Sequence, residues 1–126
     1  NFTEQAIDIH HIFPRAYCEG KYKREQWNSI VNKTPISART NRTIGGSAPS
    51  KYLAKIERDD HVTREDLNRF VSTHYIDVNS LRSDMFPDFF VERAKGILNL
   101  IGDAMGKKIQ NLNSDDVTNA FGAPLE

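Results

Sequence analysis

Apolar positions change their period along this chain. From Gln5 to Phe13 they alternate loosely and favour isoleucine, which predicts a strand. Pro14 ends it, because proline cannot donate to a ladder. Residues 15–25 are charged and contain Gly20, so a loop is expected there. Gln26–Val31 fits a short helix. Lys33–Ser37 reads as a second short strand, and Pro35 implies an edge position. Ala38–Thr43 has no strand pattern and predicts a short helix, ended by Gly45-Gly46-Ser47.

From there the period is helical. Pro49 suits a first turn, and Tyr52, Leu53 and Ile56 share a face. Thr63 is a good N-cap, with Asp66 three residues on. Leu67, Phe70, Val71 and His74 then recur at i, i+3, i+4 and i+7. A third helix starts near Pro87, with Phe90, Ala94, Ile97, Leu98, Ile101 and Met105 as its apolar stripe and Gly106 as its stop. Phe70, Phe86, Phe89 and Phe90 are expected in the core. The tail from Lys107 has no firm pattern, although Val117–Phe121 fits a helical turn. The fold class that follows is α+β and mostly helical. Residues 1–46 form a strand–loop–strand–helix core, and 47–126 a helical extension within one domain.

A chain of 126 residues suits a single domain, and 38% apolar content supports a modest core. The single cysteine, Cys18, rules out a disulfide framework and a Cys-based zinc site within the chain. A reducing, cytoplasmic setting is expected. No apolar run approaches the roughly 18–20 residues of a membrane span. The opening residue is Asn and not Met, so we read the chain as a piece of a larger protein. Net charge is zero, yet its distribution is uneven. Residues 10–55 carry nine Lys/Arg against Glu19 and Glu25, whereas 56–126 carry eight basic and thirteen acidic residues. A polyanion would be drawn to the first half.

That half also holds the most informative residues. His10 and His11 close the first strand in Asp8-Ile9-His10-His11-Ile12-Phe13-Pro14, and Asn32 and Asn41 follow, nine apart. Phosphodiester hydrolysis must deprotonate a water, neutralise charge on the phosphate and stabilise the leaving oxygen. A neutral imidazole suits the first task, and one divalent ion the other two. His10 and Asn41 offer a ring nitrogen and an amide oxygen as uncharged ligands. Asn41 has a second reading as a helix cap. Asn28 reads as a cap or turn residue. Arg39 and Arg42 suit either phosphate contact or a solvated helix face. His61 and His74 read as loop and helix residues, and Cys18 as a bystander.

These motifs resemble the HNH nucleases, also called the His-Me finger or ββα-metal family. Its members carry an acid or His followed by His at the end of a first strand, often as (D/H)-H-I-x-P, matched here by His10-His11-Ile12-Phe13-Pro14. A second motif begins with Asn and ends nine residues later in His or Asn, as Asn32 to Asn41 do. The resemblance implies that His10 and Asn41 are metal ligands and His11 the general base. It also implies that Asn32 ties the hairpin loop and orients that base. Asp8 matches the acid that supports an imidazole in nuclease colicins. Arg39, Arg42 and Lys33 become the substrate-binding candidates.

Residues 28–53 are further similar to the C-terminal nuclease domain of GmrSD-like modification-dependent restriction proteins, and Phe89-Phe90-Val91-Glu92-Arg93 fits that layout. The expected cofactor is one divalent ion, Mg²⁺ or Mn²⁺, with Ni²⁺ or Zn²⁺ open because the first ligand is His where many relatives have Asp. The expected partners are DNA and an N-terminal, NTP-binding regulatory region of the same protein, and no membrane. The two Cys pairs that staple many such domains with zinc are missing, so helix packing must replace them. An RNA-directed nuclease and a non-catalytic nucleic-acid-binding module that kept the fold are the rival readings.

Overall fold

Strand β1 (Ile7–His11) pairs antiparallel with β2 (Lys33–Ser37), in a register that sets His10 opposite Thr34 and His11 opposite Lys33. The computed structural model describes residues 6–126; Gln5, the expected start of β1, lies outside the described residues. Between the strands come α1 (Arg15–Cys18), α2 (Arg24–Trp27) and a 3-10 turn (Ile30–Asn32). After β2 follow α3 (Ala38–Ile44), α4 (Pro49–Asp59), α5 (Arg64–Ser72), α6 (Val78–Arg82), α7 (Phe86–Met105) and α8 (Asp115–Phe121). The architecture is α+β and mostly helical, with a small two-stranded sheet.

The longer elements form where their caps and periods lead. Ser37 caps α3 by accepting from the Thr40 N–H at 3.1 Å. Thr63 caps α5 through the Asp66 N–H, also at 3.1 Å. Pro49 opens α4, and Gly106 closes α7 in the left-handed conformation. Asp84 is left-handed too (φ 58°), and its carboxylate takes the Ser50 N–H at 2.8 Å and the Ser50 hydroxyl at 2.6 Å. That bond caps the first turn of α4 from the loop before α7.

Four expectations need correction. The stretch 15–25 is not an unbroken loop: it contains α1 and the start of α2. The helix expected over Gln26–Val31 is split, α2 ending at Trp27 and a 3-10 turn following. Helix α6 was not visible in the pattern. These pieces are one turn or little more, too short to display a period; Cys18, Trp27 and Leu81 anchor them by burial. Lastly, Phe70 is 62% exposed, because α5 buries Leu67 and Val71 and leaves Phe70 on its flank against the His74 ring at 4.8 Å. Ile101 and Met105, at the far end of α7, are likewise exposed, because the chain at Lys107–Ile109 folds back over Gly102 instead.

The core joins the loop after β1 to α7. The fully buried Phe13 ring lies 4.8 Å from Phe89 and 5.3 Å from Phe86, and contacts continue through Phe90 to Phe121. The Tyr52 hydroxyl, buried in α4, donates to the Ile12 carbonyl at 2.7 Å. Burial, and then Asp84, push its ionisation far up, so it stays a neutral donor. Arg93 on α7 is also buried. Its guanidinium donates to the carbonyls of Val31 (2.6 Å), Lys33 (2.8 Å) and His74 (3.1 Å). Burial lowers its pKa, but a guanidinium starts so high that the charge persists.

Arg93 therefore clamps the entry to β2 against α7 and the turn after α5. Replacing it by Met keeps most of the apolar stem and strands three buried or half-buried carbonyls. The expected loss is roughly 3 kcal/mol of unfolding free energy. Arg69→Met, which breaks the exposed pair with Asp66, should change it by less than about 0.5 kcal/mol. Urea denaturation of both variants checks this, and equal effects would contradict the clamp.

Candidate functional site

The strand–strand–helix unit places the predicted site residues unequally. Along β1, Asp8 and His10 share a face with their partners Ile36 and Thr34, and α3 packs against the hairpin. The Ala38 N–H donates to the Ala6 carbonyl at 3.0 Å, fixing the start of α3 beside the start of β1. Asn41 then falls one turn into α3. Since Ser37 is the N-cap, Asn41 is not a capping residue.

His10, His11 and Asn41 line one open cavity of ≈ 350 Å³, together with Pro14, Arg15, Ala16, Ile44, Gly45 and Gly46. Two glycines shape its wall. Gly45 has φ 54° and ends α3 by donating its N–H to the Asn41 carbonyl at 3.0 Å. A Cβ on Gly46 would come within 3.0 Å of the Ala16 Cβ, so glycine lets this turn close against α1. His10 and Asn41 make no side-chain hydrogen bond among the described residues, which leaves a ring nitrogen and an amide available at the cavity. No group of three or more His, Cys, Asp or Glu side chains that could hold a metal occurs among the described residues. Two neutral donors can still hold a weakly bound ion with several open positions, and that is the donor set the cavity offers.

His11 is held by two neighbours. Its Nε2 lies 3.2 Å from Asn28 Oδ1, and its ring centroid is 5.7 Å from that of the buried Trp27. With the Asn28 amide oxygen turned to the ring, Nε2 is the donor and Nδ1 keeps the lone pair. Asn28 ends α2 as its C-cap and at the same time orients His11. Sequence reasoning read it as a cap or turn residue and missed the second role. The available signal was its place four residues before Asn32.

Asn32 does something different from orienting the base directly. Its side chain is fully buried; Oδ1 accepts from the Phe13 N–H at 2.8 Å, and Nδ2 donates to the Phe13 carbonyl at 2.9 Å and the Trp27 carbonyl at 2.8 Å. The Ile12 N–H adds a bond to the Asn32 carbonyl at 2.8 Å. Asn32 thus ties the hairpin loop and holds His11 only through the backbone and through Trp27. Asp8, expected to support an imidazole, accepts instead from the Ile9 N–H at 2.7 Å.

The basic candidates also shift. Arg39 pairs with Asp60 at 3.5 Å, both exposed, and neither Arg39, Arg42 nor Lys33 lines the cavity. Lys33 faces His11 across the sheet register. The cation in the cavity wall is Arg15. Cys18 is buried beside it in sequence; burial pushes its thiol up to about 11 despite the opposing pull of Lys21, so it is no nucleophile at neutral pH.

Comparison with known proteins adds little about chemistry. No family model and no solved structure matches the chain. An uncharacterized protein of Methanocaldococcus jannaschii is 37% identical over 57 residues, covering 44% of this chain. The matched stretch is about 10% of that protein's length. No helix among the described residues is long and apolar enough to cross a membrane.

The contact between His11 and Asn28 has a direct readout. Long-range proton–nitrogen correlation on labelled protein should find neutral His11 as the Nε2–H tautomer, and Asn28→Ala should give a mixture of tautomers with little loss of thermal stability. A wild-type Nδ1–H tautomer would contradict the assignment.

Proposed function

We propose that this chain is a metal-dependent endonuclease domain of the His-Me finger (HNH) type, hydrolysing phosphodiester bonds in DNA. The observation that carries the reading is the meeting of His10, His11 and Asn41 on one cavity, with His11 oriented by Asn28 so that Nδ1 is the basic nitrogen. The order of a two-stranded antiparallel sheet followed by a helix supports this reading. A relation to the nuclease domain of GmrSD-like restriction proteins, with an NTP-dependent region elsewhere in the same protein, belongs to the same proposal.

The chain's own groups then divide the work. His11 Nδ1 removes a proton from the attacking water, and the resulting imidazolium is stabilised by the Asn28 oxygen at Nε2. Trp27 keeps the ring from turning away. His10 and Asn41 would hold the divalent ion, which when bound supplies charge neutralisation on the phosphate and stabilises the leaving oxygen. The open cavity leaves room for the phosphate group. No group lining the cavity distinguishes ribose from deoxyribose; DNA is favoured because, among the described residues, no Phe, Tyr or Trp lines the cavity as a platform on which single-stranded bases could stack.

The test separates the two histidines. His11→Ala should lower the cleavage rate about 10²–10⁴-fold while Mn²⁺ binding persists in a calorimetric titration. His10→Ala and Asn41→Ala should each lose metal affinity and plasmid nicking together. Supercoiled plasmid and a structured RNA run side by side report the substrate. Near-normal nicking by His11→Ala would sink the base assignment, and an Asn41→Ala variant with full activity and metal affinity would remove Asn41 from the site.

A further inference from the structure

Three side chains converge on one indole beside the cavity. The Arg15 guanidinium carbon lies 5.8 Å from the Trp27 ring centroid, the Arg24 guanidinium carbon 5.7 Å from it, and the His11 ring centroid 5.7 Å from the indole. Trp27 is buried, anchored by its carbonyl to Asn32 and by its place in the core. It is therefore a rigid platform. Both arginines are exposed, and Arg15 belongs to the cavity wall.

Two cations brought against one indole repel each other. Stacking offsets part of that repulsion, and a shared anion would remove the rest. Arg15 has one competing partner, Glu19, at 2.8 Å, but both members of that pair are more than half exposed, so water screens it and exchange is easy. Among the described residues no carboxylate lines the cavity or pairs with Arg24 in a salt bridge. Planar guanidinium groups are suited to bidentate contact with phosphate oxygens.

We propose that Arg15, Trp27 and Arg24 form a phosphodiester-binding site: Arg15 grips the phosphate that enters the cavity and Arg24 the next phosphate of the same strand. This assignment rests on the nuclease reading of the cavity. Among the described residues Arg15 is the Lys or Arg that lines the cavity, and it shares the Trp27 ring with Arg24, which puts this pair ahead of Arg39, Arg42 and Lys33 as backbone contacts.

Binding, measured without cleavage, tests this apart from catalysis. The His11→Ala chain is titrated into fluorescent duplex DNA at several salt concentrations. Arg15→Ala and Arg24→Ala, each in that background, should weaken binding severalfold and lower the log–log salt slope by about one. Arg69→Ala, far along the sequence on α5, should leave the slope unchanged. Arg15→Lys should keep the slope and still bind more weakly, because it keeps the charge and loses the planar fork. Glu19→Gln should tighten binding, and that gain should shrink in the Arg15→Ala background. Wild-type slopes in Arg15→Ala and Arg24→Ala would overturn the proposal even if the enzyme cuts DNA. Failure of the His11→Ala chain to bind duplex DNA would overturn it as well, and plasmid nicking by the unmodified chain would show whether the nuclease reading falls with it.

Discussion

Everything near the cavity depends on one buried amide. Asn32 closes a long connection between two short strands by making three side-chain hydrogen bonds and accepting a fourth bond through its own carbonyl. A two-stranded hairpin with so long a loop would not hold together on its ladder alone. The amide works because it satisfies both the donor and the acceptor of Phe13 and also reaches the carbonyl of Trp27. It therefore fixes the exit from β1 and the end of α2 relative to each other. Those two segments carry His11, Asn28 and Arg15, so the geometry of the cavity inherits the rigidity of this one side chain. Removing such a residue would leave buried polar groups without partners, which is among the more damaging changes a core can suffer.

Side chains from distant helices then pin the connection between the strands. Phe13 anchors the loop against α7 through its contacts with Phe86 and Phe89, and Tyr52 reaches from α4 to the Ile12 carbonyl. Arg93 fastens the other end of the hairpin by taking the carbonyls of Val31 and Lys33. The loop is thus pinned at both ends by side chains that come from far away in sequence. This division leaves the face bearing His10 and Asn41 free of structural duty, and their unengaged polar groups are the reason the cavity can offer ligands at all.

Much of this was legible in the sequence, and the rest failed for identifiable reasons. β2 was readable because Pro35 and the flanking residues restrict its conformation, and α4, α5 and α7 because they carry caps and a sustained period. The single-turn helices α1 and α2 were not, since four residues cannot display a period and their stability comes from burying Cys18 and Trp27. Phe70 misled because a helical stripe shows which face is apolar but not how far the covering layer extends. At the cavity, adjacency and spacing picked out His10, His11, Asn32 and Asn41, and the fold brings three of them to one wall. The orienting role went to Asn28, and the nearby cations to Arg15 and Arg24. Both depend on a tertiary meeting at Trp27, which no local pattern records.

On the proposed reading, the His10/Asn41 wall of this cavity holds the catalytic ion. Crystals of the protein soaked in Mn²⁺ and measured for anomalous scattering test it most directly. The account predicts one peak in the cavity, bonded to a His10 ring nitrogen and the Asn41 amide oxygen, and its loss in Asn41→Ala. A cavity without a peak while Mn²⁺ occupies another part of the molecule, or a cavity ion that ignores both residues, would contradict it.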